Sequence, residues 1–218
     1  MALQILGISL KKYFQNFIHC LPFGIIYGAI GILPILLPHI TYLEYIAPGV
    51  AIVFAEIPLY MILNRLFCKN SPTVNMKSKL LQILLFIIVD CAVTLCFPLL
   101  IKTGISLPAP GAFLLLNLFL RLFLISIIKN GVVPFFGIFS NHASGKLWLI
   151  LKIVIIEHLF TVVTALVLGL IFILLPKPSD ISLLYASAVL SALLLPYLAI
   201  RTWFCHEAIS SEKFTDKK

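Results

Sequence analysis

Long apolar stretches alternate with short polar ones along the chain. Six of these stretches reach the roughly 20 residues that an α-helix needs to cross a lipid bilayer, and charged residues or prolines mark the breaks between them. They cover about residues 17–37, 42–63, 80–101, 111–128, 147–175 and 181–204. This pattern predicts an all-α fold, a polytopic transmembrane bundle of six helices.

The composition of the chain agrees with this prediction. Apolar types make up 61% of the 218 residues and charged types 11%, whereas a water-soluble domain has roughly 45–50% and about 25%. A soluble globule this apolar would expose large hydrophobic patches and aggregate. The composition therefore excludes a soluble enzyme, a nucleic-acid-binding domain and a disordered chain, and the lipid bilayer is the first expected partner.

The basic residues predict the orientation of the bundle. Sixteen lysines and arginines outnumber eight acidic residues, which gives a net charge of +8. Thirteen basic residues fall on one side of the predicted spans and two, Lys102 and Lys177, on the other, while Arg121 lies inside span four. Because cytoplasmic loops are enriched in lysine and arginine, both termini are expected in the cytoplasm. The same enrichment explains the net charge without a nucleic-acid partner.

The two ends of the chain lie outside the predicted spans. Residues 1–16 combine apolar positions with Lys11 and Lys12, which predicts an interfacial amphipathic helix lying among the lipid headgroups. A simpler interpretation is that this stretch only anchors and orients the first span. Residues 205–218 are predicted to form a cytoplasmic tail.

Five ionisable residues lie well inside the predicted spans: Glu56, Asp90, Arg121, Glu157 and His158. Counted from basic residues at the cytoplasmic ends of the spans, the first four are nine, eleven, eight and eleven residues deep, with Arg65, Lys79, Lys129 and Lys146 as the reference positions. At about 1.5 Å per residue, these counts correspond to depths of roughly 12–17 Å. The hydrocarbon core is about 30 Å thick, so four spans are expected to place a charge near the midplane.

Charges at this depth are expected to face the bundle interior and to pair, because each isolated charge costs at least about 2.5–3.5 kcal/mol. Asp90 or Glu157 is the expected partner of Arg121, and Asn117, one turn away on the same helix, extends the polar track. An acid left unpaired there stays protonated and can carry a proton. Two interpretations remain open: a structural ion-pair network, or a substrate or proton site of the kind that transporters place at the midplane.

Proline lies close to one of these acids. Pro58 follows two residues after Glu56. A proline in a helix frees a carbonyl group one turn earlier and kinks the helix, which is typical of the broken helices of transporters. Spans tolerate proline generally, so this feature indicates transport only weakly.

The loop between the fourth and fifth predicted spans contains an apolar run, Val132–Phe139. It is too short to cross the bilayer. A helix lying against the membrane is one interpretation. The other is a docking element, in which Val132, Pro134, Phe135 and Phe136 contact a cytoplasmic ATPase or another membrane subunit.

No motif in the sequence indicates a metal, a cofactor or a common catalytic mechanism. The five cysteines form no CxxC pair and are interpreted as small apolar residues. The sequence has no HExxH, GxSxG or P-loop motif, so no ATP site is expected. Chemistry on a lipid through the midplane acids Glu56, Asp90 and Glu157 remains a further alternative.

Two short stretches resemble a bacterial family. They are the Lys-containing start Ile8–Phe14 and the proline-containing ending Leu195–Arg201. Six predicted spans lie between the amphipathic start and the basic end of the chain. In this layout and in the two stretches, the chain resembles the YciC-like and glycerophosphodiester phosphodiesterase membrane-domain group. This resemblance implies a six-span protein of the bacterial inner membrane and implies no catalytic residues.

Taken together, these features predict a transporter or permease-like subunit with a charged midplane site. A membrane scaffold or assembly factor that binds its partner through Val132–Phe139 is the alternative from another class. An intramembrane lipid-modifying enzyme is the third.

Overall fold

A computed structural model describes residues 2–40, 42–68, 76–102, 108–130 and 180–210, together with isolated positions between 148 and 163. Every regular element in these ranges is helical. The elements are α1 (Ala2–Leu36), α2 (Leu43–Ala51), a π-helical turn (Ile52–Glu56), α3 (Ile57–Phe67), α4 (Met76–Lys102), α5 (Pro108–Asn130) and α6 (Asp180–Ser210). The predicted all-α fold class is confirmed for this part of the chain.

Three helical segments in these ranges are long and apolar enough to cross a membrane. They are Leu3–Leu36, Tyr45–Phe67 and Ala188–Ile209, and they coincide with the first, second and sixth predicted spans. Helices α4 and α5 occupy the positions of the third and fourth. Most of the predicted fifth span, 147–175, lies outside the described residues. The chain is therefore a helical membrane protein.

Helix α1 runs for 35 residues without a break at residue 16. The segment predicted to be interfacial and the first predicted span thus belong to one helix. Ile5, Ser9 and Tyr13 are buried along one face of its first half, while Leu3 and Phe14 on other faces are exposed. The Tyr13 hydroxyl donates a hydrogen bond to the Leu193 carbonyl of α6, at 3.1 Å.

Helix α1 approaches α6 closely because small residues meet at the contact. A methyl group added at Gly24 would lie 1.9 Å from the Ala192 carbonyl oxygen, and one added at Gly28 would lie 2.5 Å from the Ala188 oxygen. Both helices therefore carry small residues four positions apart at the contact. This is how helices pack in lipid, where small side chains allow the backbones to approach.

The two ends of the bundle differ in the residues that form them. The end at which α1 ends at Leu36 and α2 begins at Leu43 is called the cavity end. The opposite end, where α4 begins and α5 finishes, is called the lysine end, because Lys79 of α4 donates to the Ile128 carbonyl of α5 there, at 2.7 Å. The main core lies towards the lysine end, among α3, α5 and α6.

Candidate functional site

Arg121 of α5 joins three helices through its guanidinium group. Its Nε lies 2.9 Å from Glu56 Oε1, and its Nη2 donates to Glu56 Oε2 at 3.1 Å. Its Nη1 donates to Asp90 Oδ1 of α4 and to Asn117 Oδ1 of α5, both at 2.5 Å. These four residues are called the Arg121 cluster. Its guanidinium holds one carboxylate by two parallel contacts, the strong arrangement for an arginine and an acid.

The acids of the Arg121 cluster are buried, while the arginine is partly accessible. The Glu56 side chain is 2% exposed and the Asp90 side chain 3%, whereas Arg121 keeps 20% of its side-chain surface accessible. Removing such charges from water is costly, and attraction offsets the cost only where the hydrogen bonds are well satisfied. The bonds to Glu56, Asp90 and Asn117 meet that condition.

A π-helical turn places Glu56 in the cluster. The Ile57 N–H bonds to the Ile52 carbonyl, five residues earlier, instead of to the carbonyl four residues earlier. Pro58, which follows at the start of α3, has no N–H with which to continue an α-helical ladder. The wider turn rotates the following residues relative to α2. Such turns are rare and frequently occur at functional sites.

A cavity of about 370 Å³ adjoins the Arg121 cluster. Its polar lining comes from Asp90 and Thr94 of α4 and from Asn117 and Arg121 of α5. Of the two acids of the Arg121 cluster, Asp90 lines the cavity and Glu56 does not. The volume falls in the lower part of the range of ligand-binding pockets, about 300–1,000 Å³.

The remaining walls of the cavity are apolar or aromatic. Tyr27 contributes a ring, and the other lining residues are Gly31, Pro34, Ala47, Pro48, Ala51 and Ile52. These residues belong to the later half of α1, to α2 and to the beginning of the π-helical turn. The cavity therefore extends from the Arg121 cluster towards the cavity end of the bundle.

On its other side, the Arg121 cluster is closed by packed side chains. Leu59, Leu63, Leu124 and Ile200 are fully buried, and Trp203 is 1% exposed. Tyr60, one turn after Glu56, is also buried and is hydrogen-bonded to the Thr202 side chain. Among the described residues, the charges thus meet a cavity on one side and packed side chains on the other.

A second group of polar side chains lies at the lysine end. Ser126 of α5 and His206 of α6 are buried and hydrogen-bonded at 2.7 Å, and Lys129 forms an ion pair with Glu207. Cys68, directly after α3, lies near this ion pair, and burial raises the pKa of its thiol. Because the Lys129–Glu207 pair is partly exposed, it is a suitable control for the buried cluster.

The structure brings together three of the five ionisable residues singled out in the sequence. Glu56, Asp90 and Arg121 are in direct contact, and Arg121 has the expected partner Asp90. The other candidates lie outside the described residues: Glu157 and His158, and the proposed docking residues Val132, Pro134, Phe135 and Phe136. No group of three or more potential metal ligands occurs in the ranges described.

Two of the cavity residues that carry a hydroxyl group were not predicted from the sequence. Tyr27 and Thr94 both line it. A tyrosine inside an apolar span is a usable signal, because its hydroxyl needs a polar partner. Thr94 gives no such signal, since hydroxyls in membrane helices often bond only to their own helix.

No protein-family model, no curated protein and no solved structure matches the chain. The resemblance of Ile8–Phe14 and Leu195–Arg201 to a bacterial membrane-domain group therefore stays a prediction. The Arg121 cluster and the cavity beside it are the features of the molecule that indicate a function.

Proposed function

We propose that the protein is a transporter, or a permease-like subunit, that binds a small solute in the cavity beside the Arg121 cluster. The proposal takes the chain as a six-span protein of the bacterial inner membrane with both termini in the cytoplasm. The observation that carries it is the position of Asp90, Asn117 and Arg121 at the polar floor of a 370 Å³ cavity. Secondary transporters commonly place their substrate sites at this depth.

The one-sided access to the cluster supports this proposal. The cavity extends towards the cavity end, while Leu59, Leu63 and Trp203 close the opposite side. A carrier that alternates between two states has this asymmetry in each of them. With the orientation expected from the basic residues, this arrangement corresponds to the outward-facing state.

The helices around the cavity contain positions that can bend. Pro34 and Pro48 line the cavity, and Pro58 follows the π-helical turn. Prolines and π-helical turns are the usual places where a helix kinks. A hinge at the turn would move α2 relative to α3 and change the access to Asp90.

The sequence limits the energy sources that active transport can use. Without a P-loop motif, active transport needs an ion gradient or a separate ATPase subunit. Purification in mild detergent distinguishes these cases, because a stoichiometric ATPase in the preparation identifies a permease subunit. The apolar Val132–Phe139 run is the expected contact for such a subunit.

Binding and flux measurements on the full-length protein test the proposal. Nanodisc-embedded protein is screened by thermal shift against small amines, amino acids, sugars and carboxylates, and the solutes that bind are radiolabelled for uptake into proteoliposomes. We expect the unaltered protein to take up the solute. Asp90→Asn and Arg121→Lys should abolish this uptake, and Glu207→Gln should leave it unchanged. Uptake that is equal in all four proteins, or no binding by any solute, contradicts the proposal.

One observation favours a structural role as the second candidate. The contacts to Glu56, Asp90 and Asn117 use all three guanidinium nitrogens of Arg121, so the cluster ties the π-helical turn, α4 and α5 together. A scaffold or assembly factor needs no more than this. Folded protein that binds no solute but retains a stoichiometric partner favours the scaffold.

A further inference from the structure

We propose that the solute recognised in the cavity carries one positive charge, as a short primary amine does, and that this charge binds against Asp90. This inference rests on the proposed function, because it names the class of solute that the transporter would bind. The charge count of the Arg121 cluster, the contacts of the guanidinium and the chemistry of the cavity walls support it.

The Arg121 cluster contains one more acid than base. Glu56 and Asp90 contribute two carboxylates and Arg121 one guanidinium. The part of the chain that the structure describes shows no second cation paired with either acid. A net negative charge buried this deeply is costly unless something neutralises it. A cation arriving through the cavity supplies that charge.

The contacts of Arg121 disfavour a negatively charged solute. Both oxygens of Glu56 are bound to Nε and Nη2, and Nη1 is shared between Asp90 and Asn117. These contacts use four of the five N–H donors of a guanidinium, so an anion that takes more than the second N–H of Nη2 has to displace one of these groups. It would also approach two carboxylates, and like charges in a medium of low polarity repel strongly.

Asp90 is placed to receive the cation, and Glu56 is not. Asp90 lines the cavity, while Glu56 is not among its lining residues and holds the guanidinium with both carboxylate oxygens. Thr94, one turn along α4, adds a hydroxyl oxygen to the same wall. An ammonium group has three donors and no acceptor, so this set of oxygen atoms matches it.

The other walls suit the rest of a small amine. Tyr27 lines the cavity, and an aromatic face attracts a cation that lies within about 6 Å of it. Gly31, Ala47 and Ala51 provide a narrow apolar surface for a short alkyl body. A carbohydrate would leave most of its hydroxyl groups unpaired on this surface, which is unfavourable.

Three probes of similar length and different charge test the inference. The dissociation constants of n-butylammonium, 1-butanol and butyrate are measured by calorimetry at pH 7 on the full-length protein in nanodiscs. We expect n-butylammonium to bind at least about tenfold more tightly than 1-butanol, as one hydrogen bond to a charged group provides. Butyrate is expected to bind more weakly than either.

Two variants locate the charge preference. Asp90→Asn should abolish the preference for n-butylammonium over 1-butanol. Glu207→Gln, which removes a carboxylate from the partly exposed ion pair at the lysine end, should retain it. If Asp90→Asn does not fold, the three-probe comparison on the unaltered protein still decides the inference.

The outcomes separate this inference from the proposed function. Equal binding of n-butylammonium and 1-butanol overturns it, because a proton then neutralises the excess acid. Tighter binding of butyrate also overturns it and makes Arg121 an anion site. Preferential binding of n-butylammonium without uptake of the radiolabelled probe into proteoliposomes supports the inference and counts against transport. Uptake of only neutral or acidic solutes supports transport and overturns the inference that the solute is a cation.

Discussion

Glu56 accepts the guanidinium of Arg121 on both carboxylate oxygens, at 2.9 Å from Nε and 3.1 Å from Nη2. The two residues are 65 positions apart in the chain. Their contact depends on the π-helical turn Ile52–Glu56, which sets the rotation of Glu56 about the helix axis. One local irregularity in the backbone thus determines which acid holds the buried arginine.

We expect Arg121→Leu to destabilise the protein strongly. The substitution leaves the carboxylates of Glu56 and Asp90 buried without a cation, and breaking a buried ion pair from one side costs about 3–5 kcal/mol. Arg121→Lys keeps the charge but loses the two parallel contacts, so its effect should be smaller. The measurement is the melting temperature of the purified protein, which is monitored by intrinsic fluorescence and by size-exclusion chromatography of heated samples.

The ion pair between Lys129 and Glu207 provides the matched control. Both side chains are partly exposed, and exposed pairs contribute about 0–1 kcal/mol. Glu207→Gln should therefore change the melting temperature much less than Arg121→Leu. Equal effects of the two substitutions would mean that the Arg121 cluster is no better protected from solvent than the bundle end.

The depth count on the sequence predicted part of this arrangement. Counting residues from basic anchors placed Asp90 and Arg121 at one level, and their side chains are in contact. It did not select Glu56 as the residue that binds Arg121 through two oxygens. The reason is physical: the count assumes a regular α-helix, whereas the π-helical turn before Pro58 adds to the rotation.

Substitutions at two glycines of α1 should have opposite effects on stability. At Gly7 an added methyl group meets nothing within 4 Å, so Gly7→Ala should be neutral or stabilising by up to about 1 kcal/mol, the usual difference in helix propensity. At Gly24 the same methyl group would lie 1.9 Å from the Ala192 oxygen. Gly24→Ala should lower the melting temperature because α1 and α6 must separate.

Gly28→Ala tests the same contact independently. The added methyl group would lie 2.5 Å from the Ala188 oxygen, so this variant should also melt at a lower temperature than the Gly7→Ala protein. If Gly24→Ala and Gly28→Ala were as well tolerated as Gly7→Ala, this result would contradict the close packing of α1 against α6.

The sequence gives the positions of helices better than it gives their buried faces. Helices α4 and α5 lie within a few residues of the spans predicted at 80–101 and 111–128. By contrast, Arg201 was counted as a cytoplasmic anchor, yet it is 2% exposed and packs over the Tyr197 ring. A helix that is apolar on all sides has little amphipathic signal to indicate its inner face. The cavity could not be predicted for the same reason.

The predicted topology can be tested with reporter fusions. If both termini are cytoplasmic, green fluorescent protein fused after Lys218 should fluoresce, and so should a copy inserted at 69–75. Alkaline phosphatase inserted at 103–107 should be active, because the enzyme needs the oxidising side of the membrane. The reverse pattern would place the cavity end in the cytoplasm, and equal signals at all sites would contradict a single orientation.

Narrowing the cavity should weaken solute binding without unfolding the protein. Gly31 lines the cavity, and a methyl group added there meets nothing within 4 Å, so the side chain of Gly31→Leu begins in open space at the cavity wall. Gly7→Leu adds the same side chain at an equally open position of α1 outside the cavity. We expect Gly31→Leu to keep the melting temperature within a few degrees of the unaltered protein and to bind n-butylammonium more weakly by calorimetry, because the leucine occupies part of the 370 Å³ cavity. Gly7→Leu should retain both the melting temperature and the affinity. Undiminished binding in folded Gly31→Leu protein would place the solute in a part of the bundle that the leucine does not reach.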